Sequence, residues 1–218
     1  MLKLYGNRIS VNVRRVWIAL LEKQIPFEFV TVQLDGDQLT PEFSEVNRLQ
    51  RVPVLEDEGF RVVESIAILD YLEATHPEPA LMPTDAKAIA MVRMAEIVGI
   101  TELQPAFVPL TRQLVGLEES GDRIEIARQQ VTKSLQFYEH LLGGRSYFGG
   151  ATFTLADIVA GTLIPSATMF GFDLAAYPGL AAWVERLNQR DSWQQTTPQA
   201  AEIQVAIPNI KRILERRL

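Results

Sequence analysis

Glu64-Ser65 stands directly before Ile66, Leu69 and Leu72, apolar residues at helical spacing. Ser65 is a favoured N-cap residue, so the spacing predicts a helix beginning there. A helix start carries unpaired N–H groups and a partial positive charge, and it can hold a carboxylate. Ahead of it lies Gln50-Arg51-Val52-Pro53-Val54-Leu55. This apolar run contains a proline that cannot donate to a sheet ladder, which places it at a strand start or edge. Asp57-Glu58-Gly59 supplies turn chemistry, and Phe60-Arg61-Val62-Val63 reads as the return strand of a hairpin. Far upstream, Ser10 precedes Val13, Val16, Trp17, Leu20 and Leu21, spaced as one helix face. A serine there caps the helix, an effect worth about 1 kcal/mol.

These stretches need elements to hold them. Leu2-Lys3-Leu4-Tyr5 alternates like a half-buried strand, and Gly6-Asn7 breaks it. Gln24-Ile25-Pro26 ends the first helix, and Phe27 to Val32 reads as a second strand. Asp35-Gly36-Asp37 is a turn, and Thr40-Pro41-Glu42-Phe43 opens a short capped helix. The order strand, helix, strand, helix, hairpin, helix predicts a layered domain of sheet and helices. His76-Pro77-Glu78-Pro79-Ala80-Leu81-Met82-Pro83 reads as a proline-rich linker, and His76 as a helix-end residue. From Asp85 onward strand signals vanish. A helix with a break near Pro105 and Pro109 is expected, then one from Gly121 stopped by Gly143-Gly144. Thr154-Leu155-Ala156-Asp157 opens another as a capping box, so Asp157 is structural rather than catalytic. A short amphipathic helix is expected over 208–218, with Lys211, Arg212, Arg216 and Arg217 on a solvated face.

Composition narrows the function classes. The chain has 218 residues, 47% hydrophobic and 22% charged, the profile of an ordinary globular protein. Its net charge of −6 disfavours nucleic acid as a partner. No apolar run is long enough to predict a membrane span. The first strand begins too early for a signal peptide, so the cytoplasm is expected. There is no cysteine, which removes disulfides and any thiol exchange on the protein's own sulfur. With only His76 and His140, a His-rich metal site or a Ser-His-Asp triad is not expected, and no metal is assigned.

Arg51-Val52-Pro53-Val54-Leu55 followed by Val63-Glu64-Ser65-Ile66 resembles the glutathione-binding half of the glutathione S-transferases. Thr154-Leu155-Ala156-Asp157-Ile158 is similar to the capping motif of that family's second domain. The resemblance covers nearly the whole chain. It implies an α+β protein: a thioredoxin-like domain over 1–76, a linker over 77–84 and an all-helical domain over 85–218. It further implies a cis Val52-Pro53 bond. The Val52 backbone would pair with the cysteinyl part of glutathione, with Glu64 and Ser65 on the γ-glutamyl group. Gln38 and Arg51 match positions that bind the glycine end, while Leu39 stands where a lysine is frequent.

In the serine-type members the residue matching Ser10 donates to the glutathione sulfur. A thiol has a pKa of roughly 8.5 and reacts as thiolate, which a hydroxyl donor and a helix N-terminus stabilise. Tyr5 and Asn12 are the rivals. Tyrosine-type classes carry an Arg-Gly-Arg where this chain has Arg8-Ile9-Ser10, and hydrogen-bond position matters more than residue type, which favours Ser10. Arg8-Ile9 also replaces a proline that many members place before the serine.

The implied reaction is attack of glutathione thiolate on a small hydrophobic electrophile, or reduction of a peroxide. Glutathione serves as co-substrate with no further cofactor. Arg8, Ile9 and Phe107, with Met169, are candidates for the second-substrate pocket. A homodimer is expected, with Leu49 in place of the aromatic key of some classes. Two alternatives stay open. One is a non-catalytic interaction module on the same fold. The other is a specialised isomerase or dehalogenase, although Ile9-Ser10-Val11-Asn12 stands in place of the isomerases' Ser-Ser-Cys signature.

Overall fold

The computed structural model describes residues 1–33 and 36–215. Asp35 of the expected turn, and Arg216 and Arg217 of the expected basic face, lie outside the described residues. The chain divides into two compact units: Met1–Pro79 together with the segment from Ser192 on, and Ala80–Asp191.

The first unit holds β1 (Leu2–Gly6), α1 (Val11–Glu22), β2 (Phe27–Thr31), α2 (Pro41–Val46), β3 (Val54–Asp57), β4 (Phe60–Val63) and α3 (Ser65–Thr75). Its four-stranded sheet runs in the order β2-β1-β3-β4. β1 pairs parallel with β2 and antiparallel with β3, and β3 pairs antiparallel with β4. This is the mixed sheet with helices of a thioredoxin-like domain. Glu58 (φ 48°) and Gly59 (φ 87°) both take positive φ, as a two-residue hairpin turn of right twist requires. The α1 helix packs on α3.

The face of α1 is wider than its spacing predicts. Val13, Val16 and Leu20 are buried, but so are Arg15, Ile18 and Ala19, while Trp17 and Leu21 are only half-buried. A helix covered on more than one side buries residues that a single stripe would leave wet. Lys23, at the end of α1, is buried too. Its Nζ donates to the carbonyls of His76 (2.7 Å) and Pro79 (2.9 Å) and pairs with Glu73 Oε2 (2.7 Å). All three ammonium protons are thus used, and the ends of α1 and α3 are joined to the start of the linker. Val52-Pro53 is cis, as the resemblance implies, and Glu78-Pro79 is cis as well.

The second unit is helical: α4 (Ala86–Val98), α5 (Gln104–Leu114), α6 (Gly121–Leu142), α7 (Leu155–Leu163) and α8 (Pro178–Asn188). The break expected near Pro105 lies one turn earlier, as a π-turn over Gly99–Leu103. Pro105 cannot accept the usual approach of the carbonyl four residues back, and a wider turn relieves the clash. Gly99 also permits a close crossing, since a Cβ there would lie 2.9 Å from the Tyr138 hydroxyl. The α7 start is the expected capping box. Asp157 accepts from Phe148 N, Thr154 N, Thr154 Oγ1 and Trp183 Nε1 at 2.9–3.0 Å. Burial pushes its carboxyl above the ordinary range, against the pull of those donors. Asp157 is therefore fully occupied as a structural hub. Glu139 reaches from α6 to accept from Gly179 N and Leu180 N at 2.8 Å, satisfying orphan donors of α8.

The range 85–218, read from sequence as one helical domain, divides in the structure. Beyond Asp191 the chain returns to the first unit through α9 (Asp191–Thr196) and α10 (Ala200–Glu215). Side chains of the first unit account for this. Arg8 pairs with Glu202 (3.1 Å), Arg14 donates to Thr196 (3.3 Å) and Thr197 (2.7 Å), and Ser192 donates to Glu22. The last helix starts at Ala200, well before Pro208, which sits inside it. Ile203, Ala206, Ile207 and Ile210 form one continuous face across Pro208 and are at least half-buried, so packing outweighs the proline's missing donor.

Candidate functional site

The sheet register gathers the chemistry-bearing stretches. Tyr5 pairs with Val54, and Val54 pairs with Val63, forming one row across β1, β3 and β4. β1 leaves this row toward Ser10, β3 enters it from Val52-Pro53, and β4 leaves it toward Glu64-Ser65. All three loops therefore emerge at one end of the sheet, in the order Ser10, Val52, Ser65. Neighbouring strands lie about 4.8 Å apart, so β1 and β4 are separated by roughly 10 Å. An extended tripeptide spans about the same length.

At the first loop, Ser10 caps α1. Its Oγ accepts from Val13 N at 3.4 Å. Among the described residues the Ser10 proton has no acceptor. The preceding turn is fixed by Asn7, whose side chain donates to Val32 O (3.0 Å) and accepts from Ile9 N (3.3 Å). Ile9 is half-buried beside Ser10. Tyr5 is differently placed, since its hydroxyl donates to Glu56 Oε2 at 3.4 Å. Glu56 also pairs with Arg61 at 2.8 Å, and that hydrogen bond holds its carboxyl below the usual range. Arg8 stacks over Trp17 (4.6 Å) and is bound to Glu202 and the Gln195 carbonyl.

At the second loop, Asn47 organises the approach. It is buried, donates to Arg51 O (2.8 Å), and accepts from Leu49 N (2.9 Å). This leaves the Arg51 side chain exposed and Pro53 buried under a half-buried Val52. Neither the N–H nor the C=O of Val52 is paired with another described residue. Val52, Val46, Val63 and Tyr5 pack on the cluster of Val32, Phe43 and Val54, which anchors the loop. Gln38 lies in the 3-10 turn Asp37–Leu39 before α2, and its buried Oε1 has no partner among the described residues. Leu39 and Leu49 are exposed.

At the third loop, Glu64 takes φ 69° and ψ 123°, a costly conformation for a non-glycine residue and one that collects at binding sites. Its side chain is exposed, makes no cap bond, and the first turn of α3 holds no acidic residue. The N–H groups of that turn are thus open to an external anion. Ser65 is buried and accepts from Arg15 Nη1 at 3.4 Å. Arg15 also donates to Asn12 Oδ1 at 2.7 Å, so the Asn12 carboxamide is engaged inside α1.

Arg15 escaped the sequence reading. Its one signal is the i,i+3 spacing from Asn12, which no sequence pattern separates from an exposed helix pair. Phe107 belongs to the second unit, where it is 8% exposed and stacks on Phe170 at 5.1 Å. Met169 of the same unit is exposed. Among the described residues no group of histidine, aspartate or glutamate side chains converges as a metal site, and no helix is long and apolar enough to cross a membrane.

Known proteins carry this architecture. Residues 4–80 match the glutathione S-transferase N-terminal domain, and residues 98–191 match the C-terminal domain. Human glutathione S-transferase T1-1 superposes with a TM-score of 0.85 at 27% identity, covering 100% of this chain and 98% of that one. A probable maleylacetoacetate isomerase of Caenorhabditis elegans is 34% identical over 177 residues, which are 80% of this chain and 81% of that protein. The chain belongs to the glutathione S-transferase family. It is therefore one of a family of enzymes. Glutathione S-transferase U2 of Arabidopsis thaliana is 31% identical over 98% of this chain and 94% of its own. A glutathione transferase homolog from Sulfitobacter, solved with bound glutathione, has a TM-score of 0.79 at 27% identity over 89% of this chain and 96% of that one.

Proposed function

We propose that this glutathione S-transferase family member binds glutathione across the three loop ends and transfers its thiolate to a small hydrophobic electrophile. The observation that carries the reading is the row Tyr5–Val54–Val63, which aligns Ser10, Val52 and Ser65 at one sheet end. The γ-glutamyl carboxylate sits on the N–H groups and hydroxyl at the start of α3, beside Glu64. The cysteinyl amide pairs with the Val52 backbone, cis at Pro53. The glycine carboxylate reaches Arg51 and the N–H₂ group of the Gln38 amide. In an acidic protein Arg51 supplies the local positive charge that an anionic tripeptide needs.

Ser10 donates its uncommitted proton to the sulfur. With the partial positive charge of the α1 start, this lowers the thiol pKa and raises the thiolate fraction near neutrality. Carbon–sulfur bond formation then expels a leaving group or adds to an activated double bond. Ile9 borders the sulfur position and is the second-substrate residue this geometry favours. Arg8 is drawn to Glu202 and Trp17, and Phe107 to the core of its own unit. We further propose a homodimer and a cytoplasmic setting, with no cofactor beyond the co-substrate.

A second reading has its own support: several relatives are named maleylacetoacetate isomerases, at 31–34% identity. Such a reaction also begins with thiolate addition, followed by bond rotation and loss of the thiol. Asn12 stands within the stretch that replaces the isomerases' Ser-Ser-Cys, and its carboxamide is already held by Arg15. This favours transfer. The deciding experiment measures steady-state turnover with an aryl halide, an isothiocyanate, a hydroperoxide, a haloalkane and maleylacetoacetate. Conjugate formation with the aryl halide, isothiocyanate or haloalkane supports the reading, and the hydroperoxide would instead give an alcohol and glutathione disulfide. Turnover confined to maleylacetoacetate, with glutathione regenerated, replaces it.

A further inference from the structure

Arg15 has no exposed surface (0%), although it stands on a helix whose other buried residues are apolar. Its Nη1 lies 2.7 Å from Asn12 Oδ1 and 3.4 Å from Ser65 Oγ. A guanidinium has five N–H donors and no acceptor. Ser65 Oγ is therefore an acceptor on the side facing Arg15, and its single proton must point elsewhere. No described residue accepts that proton. Ser65 is 6% exposed and is the first residue of α3, a helix start without a side-chain cap or an acidic residue in its first turn. A buried hydroxyl donor thus sits beside open N–H groups, with its polarity set by a cation behind it.

A carboxylate only accepts hydrogen bonds. A freely rotating serine would turn a lone pair toward it in some orientations and lose the bond. The guanidinium removes that choice and polarises the O–H it touches, which strengthens donation on the far side. The Asn12 bond fixes the guanidinium to the first turn of α1, so the hydroxyl is held by the same helix that Ser10 caps.

We propose that Arg15 is a positioning residue for ligand recognition: by occupying a lone pair of Ser65 Oγ, it directs the Ser65 proton onto the α-carboxylate of the γ-glutamyl group. The inference rests on the glutathione reading of this site. It assigns to Arg15 a share of the discrimination for that carboxylate, through Ser65, without contact to the ligand.

The test is calorimetry with two ligands, glutathione and 4-aminobutyryl-cysteinylglycine, which keeps the γ-linkage but lacks the α-carboxylate. Arg15→Met should lower glutathione affinity about tenfold, the weight of one charge-assisted hydrogen bond. Its affinity for the decarboxylated analogue should stay within about twofold of the wild-type value. In a Ser65→Ala background the Arg15→Met effect on glutathione should vanish. Arg15→Lys, which keeps a cationic donor, should restore most of the discrimination, and Arg15→Gln should not. The lysine and glutamine variants carry the test if Arg15→Met does not fold. Equal losses for both ligands, an undiminished effect in the Ser65→Ala background, or full discrimination in Arg15→Gln would each overturn the proposal. A wild-type protein that binds neither ligand removes the glutathione reading itself, and the proposal with it. That result is distinct from a wild type that discriminates normally beside indifferent Arg15 variants.

Discussion

A hydroxyl has one proton to give, and at Ser10 that proton is uncommitted while the oxygen caps α1. Ser10→Ala separates capping from catalysis. If Ser10 serves the sulfur, the variant raises the apparent pKa of bound glutathione, read as thiolate absorbance against pH. It also lowers turnover by up to roughly 2.7–4 kcal/mol of transition-state stabilisation, less where the helix end substitutes. A cap alone would cost about 1 kcal/mol in urea unfolding with normal turnover. Tyr5→Phe should leave the thiolate titration unchanged, because the Tyr5 hydroxyl is engaged by Glu56. Ser65→Ala should weaken glutathione binding by roughly 1–3 kcal/mol in calorimetry. Unaltered affinity in both Ser65→Ala and Glu64→Ala would sink the site.

At the scale of elements, two buried ionic groups hold helix ends. Lys23 joins the ends of α1 and α3 to the linker through three partners. Lys23→Met strands two carbonyls and removes the ion pair with Glu73, so unfolding free energy should fall by about 3 kcal/mol. Asp157 is the acceptor for four buried donors at the start of α7. Asp157→Asn turns an amide N–H₂ toward donors that need an oxygen, and stability should fall by about 3 kcal/mol. Glutathione affinity per folded molecule should be untouched, since the hub lies in the other unit. A stable Asp157→Asn protein with impaired chemistry would instead make Asp157 functional.

For the whole molecule, the informative feature is the return of the chain after Asp191 to the first unit. The backbone N–H of Gln199, and then Arg8, hold the Glu202 carboxyl below its ordinary value of 4.5. A depressed carboxyl contributes stability above its unfolded value and loses it as pH falls through the folded value. Protection over Ala200–Glu215, with exchange taken relative to the intrinsic amide rate at each pH, should therefore fall below about pH 4.5 in the wild type. Arg8→Gln should show part of that loss already at neutral pH. Identical exchange in the two proteins at pH 7 would mean that Arg8 does not secure the helix. Sedimentation should give a mass near 49 kDa, twice the 24.5 kDa chain, if the proposed homodimer forms.

Local signals in the sequence determined much of this protein. Gly59 marks the tight hairpin because it takes φ 87° without a Cβ penalty, while Glu58 is drawn to φ 48° by the strand pairing on either side. Ser10, Thr40 and Thr154 announce helix starts because their side chains bond nearby N–H groups. The helix start at Ser65 is legible from the apolar spacing that follows it, but Ser65, expected as the cap of α3, is its first residue and Glu64 holds the cap position. Other features depended on partners distant in sequence. Arg15 meets Ser65 fifty positions away, and Arg8 meets Glu202 at a separation of 194. Neither pairing leaves a periodic trace, since a buried guanidinium on α1 has the same spacing as an exposed one. The π-turn at Gly99–Leu103 precedes Pro105 and brings Gly99 against Tyr138, a residue 39 positions away that no local pattern points to. Helix caps and turns are settled within a few residues of chain. Which polar groups are buried together, and which unit claims the final helix, is settled only when packing brings remote segments into hydrogen-bond reach.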